Sequence, residues 1–418
     1  MAIPENLLSD TGVTLCAPEA AGFSSQRLRR LADIFRAEVD DRVIPGAAVL
    51  VIRDGRAPLF EAYGHADSAA TRPMRHDGLF RIASMTKPIT VVAALSLMER
   101  GRLALLDPLS RHLPEFEKLE VGVETETDAG RTLRLEPAQR AVTIQDLMRH
   151  TAGFTYGPFG DSLVQRAYRQ QKLMDGAQSN DEMAAKLAAL PLAHQPGTTF
   201  EYGMSTDVLG RVIEVVSGMP LDRFFAEQIF APLGMADTGF GVKPEAMQRL
   251  AEPHPAPAGG PRPALPPLDP SRPPRWFSGG GGLFSTATDY ARFSLMLLNG
   301  GEYRGTRLLA RKTVDLMTSN HLPPDVRYGP WTPDLGIAAP LGGLGQGYGL
   351  GVGVRLERGR SPVPGSVGDF YWGGAAGTYF WIDPAERLIG ILMLQESNAA
   401  RRTRYRAQLR SLVYQALI

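Results

Sequence analysis

The sequence predicts an α/β protein of the α+β type, with an antiparallel sheet flanked by N- and C-terminal helices and a mainly helical region inserted between its halves. A helix followed by a hairpin begins the chain, short apolar strands and a helix end it, and helical patterns fill the middle. We therefore expect 1–83 and 286–418 to be the two halves of one α/β domain, and 84–285 to be a mainly helical domain.

The first half begins with an amphipathic helix. Residues 24–40 place apolar side chains at helical spacing behind a serine that can cap the helix. Residues 46–52 are typical of a buried strand, Asp54-Gly55 is typical of a hairpin turn, and 58–64 form the returning antiparallel strand.

The middle of the chain is predicted to be mostly helical. The residues from Thr143 to Asp146 resemble a capping box and predict a short helix that ends near Gly153. Further helices are predicted at 181–190, 206–217, 221–229 and 289–298. Two segments, 120–140 and 252–280, are predicted to be long loops, and the second is either a lid over a site or a plain linker.

The second half of the sheet is expected near the end of the sequence. Strand patterns lie at 348–354, 370–372, 378–382 and 388–394, and a last amphipathic helix lies at 398–418.

Composition excludes several functional classes. The chain has 418 residues, of which 44% are apolar, and its net charge of +1 argues against nucleic acid as the main partner. Cys16 is the only cysteine, so an intrachain disulfide is impossible. No apolar run reaches the roughly 18 residues of a membrane span, and the first twenty residues lack the pattern of a signal peptide. We expect a cytoplasmic protein without a membrane partner.

The most informative motif is Ser84-Met85-Thr86-Lys87. Three residues of helix place Ser84 and Lys87 on one face, about one turn apart. A serine becomes a nucleophile when an adjacent base takes its proton, and a buried lysine can be that base. Pro88 fits the first turn of a helix, which puts Ser84 at a helix N-terminus. The bland alternative is that Ser84 only caps the helix.

Two further motifs stand far from the serine in sequence. Tyr202 lies on the turn before a predicted helix, where a phenol could relay a proton. Trp372-Gly373-Gly374 lies at the edge of a predicted strand, and its glycines would let a substrate approach the backbone. Taken alone, Tyr202 is more often a packing residue, and the glycines are equally typical of a bulge.

Together these motifs resemble the serine β-lactamase and penicillin-recognising fold, and within it the family VIII carboxylesterases, which are similar to class C β-lactamases. The resemblance runs from about Gly22 to the C-terminus. It includes accessory stretches at 79–83, 107–109, 147–153, 232–235 and 279–286.

The resemblance implies a role for each motif. Ser84 would form an acyl-enzyme with an ester, and Lys87 and Tyr202 would share the role of general base. The backbone N–H groups of Ser84 and Ala375 would form the oxyanion hole, and Trp372 would line the substrate cleft. Neither a cofactor nor a metal is implied, and the partner is a small-molecule ester.

Two departures from class C β-lactamases bear on the substrate. Met204 replaces the asparagine of their Tyr-x-Asn motif, and Trp372-Gly373-Gly374 replaces Lys-Thr-Gly. An apolar indole in place of a cation favours neutral, hydrophobic esters. The substrate-binding residues expected are therefore Met204, Trp372, Gly373 and Gly374.

Alternatives on the same fold stay open: a β-lactamase, an amidase or peptidase for D-amino-acid substrates, and an acyltransferase. The alternative that is not an enzyme is a binding protein that has kept the cleft without catalytic activity. An α/β-hydrolase is excluded, because no serine has glycine two residues before and two residues after it. The glycine-rich runs do not match Gly-x-Gly-x-x-Gly, and the seven histidines lack metal-ligand spacing. The oligomeric state stays open.

Overall fold

The core of the protein is an eight-stranded sheet built from both ends of the chain, as seen in a computed structural model. The structure describes residues 8, 11–128, 130–254, 270 and 274–418. The strands of this sheet, in spatial order, are β1 (Thr14–Leu15), β3 (Arg56–Gly64), β2 (Gly46–Arg53), β16 (Leu388–Leu394), β15 (Tyr379–Asp383), β14 (Phe370–Gly373), β13 (Gly353–Arg355) and β12 (Gln346–Tyr348).

The other strands form two-stranded pairs. They are β4 (Phe80–Arg81) with β8 (Phe284–Ser285), β5 (Glu120–Thr127) with β6 (Gly130–Pro137), β7 (Thr199–Phe200) with β11 (Arg327–Tyr328), and β9 (Glu302–Tyr303) with β10 (Thr306–Arg307). The helices are α1 (Ser25–Asp40), α2 (Thr86–Glu99), α3 (Ile144–Met148), α4 (Leu163–Gln170), α5 (Asn180–Ala188), α6 (Ser205–Ser217), α7 (Leu221–Phe225), α8 (Ala231–Leu233), α9 (Ala287–Leu298), α10 (Arg311–Met317) and α11 (Ala399–Tyr414).

Strands β2 and β16 join the two ends of the chain. They pair antiparallel over their whole length, from Ala47 opposite Leu394 to Arg53 opposite Leu388. Every residue of β16 is buried, so both faces of the sheet are covered. Helices α1 and α11 pack against each other and the sheet, and α9 packs against β2, β15 and β16. The expected assembly of one sheet from both halves of the sequence is observed.

Two of the expected elements are wrong. Residues 120–140, expected to be a loop, form the antiparallel hairpin of β5 and β6. Most side chains of this hairpin are at least partly exposed. The hairpin therefore lacks the alternating apolar pattern from which a half-buried strand is predicted. Residues 348–354 are not one strand but parts of β12 and β13, which a turn separates.

Other differences concern helices. The helix after the Thr143 capping box ends at Met148 instead of near Gly153, and α4 and α10 were not expected. The predicted helix at 221–229 is α7 followed by a π-helical turn. Most of the expected loop at 252–280 lies outside the described residues. Within the described ranges, no helix combines the length and apolarity that crossing a bilayer requires.

Candidate active site

Ser84 and Lys87 lie side by side at the start of α2. Ser84 belongs to a 3₁₀ turn over Ala83–Met85 that runs directly into the helix. The Lys87 Nζ atom is 3.2 Å from the Ser84 Oγ atom. Lys87 is wholly buried and Ser84 is only 6% exposed, because α2 is apolar on all sides and sits inside the molecule. The amine thus meets the hydroxyl in a buried site.

Lys87 Nζ has three hydrogen-bond partners. Nζ donates to the carbonyl oxygen of Gly280 at 2.7 Å and to the hydroxyl of Tyr156 at 3.2 Å. A neutral amine has two N–H donors and one lone pair, and these two acceptors use both donors. The third partner is Ser84 Oγ, to which the charged amine donates. When the amine is neutral, its lone pair can take that direction and accept the serine proton.

Behind Lys87 lies a buried network that includes Tyr156 and Asp207. The Tyr156 hydroxyl donates to Asp207 Oδ2 at 3.3 Å, and the other carboxylate oxygen accepts from the Ser278 hydroxyl and from Gly280 N–H at 3.1 Å. Burial raises the pKa of Tyr156 well above its ordinary value, and the Asp207 carboxylate raises that pKa further. Tyr156 therefore stays protonated and holds Lys87 in place.

The glycine run at 279–282 has a steric explanation in this network. A Cβ atom on Gly280 would lie 2.4 Å from Asp207 Oδ2 and 2.9 Å from the Tyr156 hydroxyl. A Cβ atom on Gly279 would lie 2.7 Å from the carbonyl oxygen of Thr206. Only glycine lets this backbone come close enough for the Gly280 carbonyl to accept from Lys87.

Tyr202 approaches Lys87 from the other side, on the turn that enters α6. The Lys87 Nζ atom lies 4.6 Å from the centroid of its ring. The Tyr202 hydroxyl accepts a hydrogen bond from the Trp372 indole N–H at 3.2 Å. Trp372 is 1% exposed, so packing fixes its indole, which in turn orients the phenol.

Tyr202 belongs to a group of three nearly parallel rings, with Phe159 and Trp331. Phe159 and Trp331 stack with centroids 3.9 Å apart, and the Trp331 and Tyr202 centroids are 6.0 Å apart with planes within 11°. Tyr202 and Phe159 are nearly buried, whereas Trp331 is partly exposed. These three residues, together with Trp372, form an aromatic wall beside Lys87.

His150 packs against the same tyrosine without reaching the serine. Its ring centroid lies 4.8 Å from that of Tyr202, and it is fully buried. Burial lowers its pKa well below the ordinary value, and the positive charge of Lys87 lowers that pKa further. His150 is thus neutral, and its φ of +58° ends the turn after α3.

The segment that follows Trp372 turns against the backbone just before Ser84. The Thr378 hydroxyl donates to the Ile82 carbonyl at 3.1 Å, and a Cβ atom on Gly374 would lie 2.4 Å from the same oxygen. Among the described residues, the N–H of Ala375 donates to no acceptor. An amide N–H without an internal acceptor, on a turn that touches the serine segment, is suited to an oxyanion.

The serine itself follows a strained residue. Ala83 has a φ of +44°, a left-handed conformation that costs a non-glycine residue about 1–3 kcal/mol. The packing of Ile82 against Leu283, through a hydrogen bond of 3.0 Å, holds this backbone in place. The bend places Ser84 at the start of α2 with its side chain beside Lys87.

The structure brings together Ser84, Lys87, Tyr202 and Trp372, which three separate motifs predicted. Met204 precedes α6 and is 1% exposed. Sequence reasoning missed Tyr156, Asp207 and the carbonyl of Gly280. Asp207 follows Tyr202 by five residues and Gly280 lies in a conspicuous glycine run, but nothing in the local sequence marks Tyr156.

The chain is similar to known proteins over most of its length. The profile of the Beta-lactamase family matches residues 31–415. Esterase EstB of Burkholderia gladioli is 31% identical over 397 residues, which cover 89% of this chain and 90% of EstB. Monacolin J acid methylbutanoyltransferase of Aspergillus terreus is 29% identical over 377 residues, which cover 86% of this chain and 89% of that protein.

A solved structure gives the same result. EstCE1, described as a hydrolase with promiscuous acyltransferase activity, superposes with a TM-score of 0.74 at 27% identity. The match covers 93% of this chain and 99% of EstCE1. The fold class and the resemblance predicted from the sequence are both confirmed.

Proposed function

The chain belongs to the Beta-lactamase family, and on that premise we propose that it is a serine carboxylesterase. It hydrolyses short-chain, mostly neutral esters through an acyl-enzyme on Ser84. The observation that carries the proposal is the contact of 3.2 Å between Lys87 Nζ and Ser84 Oγ in a buried site. The similarity to EstB and to EstCE1 supports esterase chemistry.

Acylation begins when Ser84 Oγ attacks the ester carbonyl and its proton passes to Lys87 Nζ. The carbonyl oxygen becomes an oxyanion, to which the N–H groups of Ser84 and Ala375 donate. The tetrahedral intermediate then collapses, the bond to the alkoxy group breaks, and that group leaves as an alcohol with the proton. Water repeats the sequence on the acyl-enzyme and releases the acid.

The two tyrosines take different parts in this scheme. Tyr156 stays protonated and donates to Asp207, so it anchors Lys87 and does not act as a base. The Tyr202 hydroxyl accepts from Trp372 and has no carboxylate partner among the described residues. We assign to Tyr202 the role of sharing the proton with Lys87 and passing it to the leaving alcohol, which the distance of 4.6 Å between Lys87 Nζ and its ring supports.

The lining of the site supports a neutral substrate. Trp372 stands where class C β-lactamases carry a lysine, and its indole N–H is already used by Tyr202. The rings of Phe159 and Trp331 extend this apolar surface toward the solvent. An uncharged acyl or alcohol group gains free energy by covering the exposed part of Trp331, whereas a carboxylate would lose its hydration without gaining a cation.

Labelling and hydrolysis test the proposal together. The protein should hydrolyse p-nitrophenyl butyrate, and a fluorophosphonate should modify Ser84, as peptide mass mapping will show. Ser84→Ala should abolish both. Ser96→Ala is the matched control, because Ser96 lies on the same helix and donates only to the carbonyl of Ala93. Full activity in the Ser84→Ala protein, or label on another residue, would refute the assignment.

Acyl transfer to an alcohol is the second candidate. The favouring observation is the low exposure of Ser84 and Lys87, which limits how many water molecules can reach the acyl-enzyme. The activities named for EstCE1 and for the Aspergillus terreus relative point the same way. Hydrolysis of vinyl butyrate in the presence of 1-butanol distinguishes the two: butyl butyrate in excess of butyric acid indicates a transferase.

A further inference from the structure

Arg406, on α11, lies beneath the turn that follows Trp372. Its Nη2 atom donates to the carbonyl oxygen of Gly374 at 2.5 Å and to that of Thr378 at 3.2 Å. A Cβ atom on Gly373 would lie 2.7 Å from the Arg406 Cζ atom, so the guanidinium touches the strand end itself. One side chain thus holds both ends of the 374–378 turn.

The charge of this guanidinium is not neutralised by a neighbour. Arg406 is 8% exposed, and among the described residues it forms no ion pair. Its Nε atom has no hydrogen-bond partner. Burying an unpaired cation costs free energy. The position of this guanidinium against two backbone carbonyls therefore suggests a role other than packing.

The two carbonyls already have partners within the turn. The Gly374 oxygen accepts from Gly377 N–H at 3.0 Å, and the Thr378 oxygen accepts from Gly374 N–H at 2.8 Å. Because these bonds close the turn without Arg406, the guanidinium adds a second donor to each oxygen. Its effect is to polarise and fix the turn instead of merely satisfying buried groups.

The Gly374 carbonyl and the Ala375 N–H belong to one planar peptide unit. In a trans peptide the C=O and N–H bonds point in opposite directions, so holding the oxygen fixes the direction of the N–H. A cation at the oxygen also strengthens the N–H as a donor, since linked hydrogen bonds polarise one another.

We propose that Arg406 is a positioning residue of the oxyanion hole: it clamps the Gly374–Ala375 peptide from the carbonyl side, so that the Ala375 N–H faces the anion that forms on the substrate. This inference rests on the proposed esterase function and adds a residue that touches neither the substrate nor Ser84.

The test compares Arg406→Met with Arg406→Lys. Removing a single oxyanion donor lowers kcat by about 10²–10³-fold, and misdirecting one should cost about 30- to 100-fold. We expect Arg406→Met to lower the kcat for p-nitrophenyl butyrate by that amount, with KM changed less than about threefold. Arg406→Lys keeps a cation within reach and should recover about tenfold of the loss.

Two readouts separate positioning from a purely structural role. Fluorophosphonate titration taken to completion counts the folded sites, so kcat is expressed per active site. Butylboronic acid forms a tetrahedral anion on the serine, and its affinity, measured by tryptophan fluorescence, should fall in proportion to kcat. Arg410→Gln is the control, because Arg410 is a buried arginine of the same helix that pairs with Asp369 instead. It should keep the wild-type kcat per titrated site.

The outcomes differ in what they overturn. If Arg406→Met and Arg406→Lys keep the wild-type kcat per site and the wild-type boronate affinity, the inference is wrong and the esterase assignment stands. If Arg406→Met does not fold, Arg406→Lys decides between the same two results. A wild-type protein that neither binds the boronate nor takes the label would overturn the esterase assignment and this inference with it.

Discussion

Tyr156 and Tyr202 flank the same amine but are held by different partners. Tyr156 is tied to Asp207, whereas Tyr202 accepts from an indole. We expect Tyr202→Phe to lower kcat by about 10²–10⁴-fold, since it removes a group that moves the proton in the proposed mechanism. Tyr156→Phe should cost about tenfold, because only one anchor of Lys87 is lost. Steady-state kinetics on p-nitrophenyl butyrate measure both variants, and the reverse ranking would exchange the two roles.

The glycine run at 279–282 illustrates how an element constrains the site. Gly280→Ala places a methyl group against Asp207 and Tyr156, so we expect kcat to fall at least tenfold while the protein stays folded. Gly342→Ala is the control, because no atom lies within 4 Å of the Cβ position there. Equal activity of the two variants, measured with circular dichroism as the check on folding, would contradict the proposed geometry.

The cap of α3 predicts a pH dependence of stability. Burial tends to raise the pKa of Asp146, but hydrogen bonds from Arg140 and Thr151 outweigh burial and lower the pKa to about 2. Because the folded pKa lies below the unfolded value of 3.8, the stabilisation is full above pH 3.8 and is lost as the pH falls through about 2.

A shift of this size corresponds to about 2 kcal/mol. We expect Asp146→Asn to lower the free energy of unfolding by about that amount at pH 7. The difference from the wild type should shrink toward zero near pH 2. Urea titrations at several pH values measure it, and a difference that does not change with pH would mean that the carboxylate charge is not what stabilises the cap.

At the scale of the whole molecule, stability depends on the strand pairing that joins the two ends of the chain. Leu392 is fully buried at the centre of β16, opposite Val49 and Tyr379. We expect Leu392→Ala to cost about 2–5 kcal/mol in urea unfolding, with kcat per folded molecule unchanged. The exposed Leu106 is the control, and its replacement by alanine should cost less than 0.5 kcal/mol, roughly the usual range of a surface change.

How much the sequence could predict depends on how far apart in the chain the interacting residues lie. The central strands of the sheet and the helix of Ser84 carry continuous apolar runs, so these elements can be predicted from their own residues. The β5–β6 hairpin packs few side chains and shows no such pattern. Tyr156 and Arg406 act only through contacts with residues far away in sequence, and no local pattern reports a contact of that kind.

The β2–β16 pairing also sets an order of events during synthesis. About 340 residues separate the two strands, so at roughly 5–20 residues per second the ribosome needs on the order of 20–70 s to supply the second after the first. Throughout that interval the nascent hairpin presents an apolar, unpaired edge. Such edges invite pairing with other chains, so the yield of soluble protein should rise when chaperones that shield nascent chains are abundant.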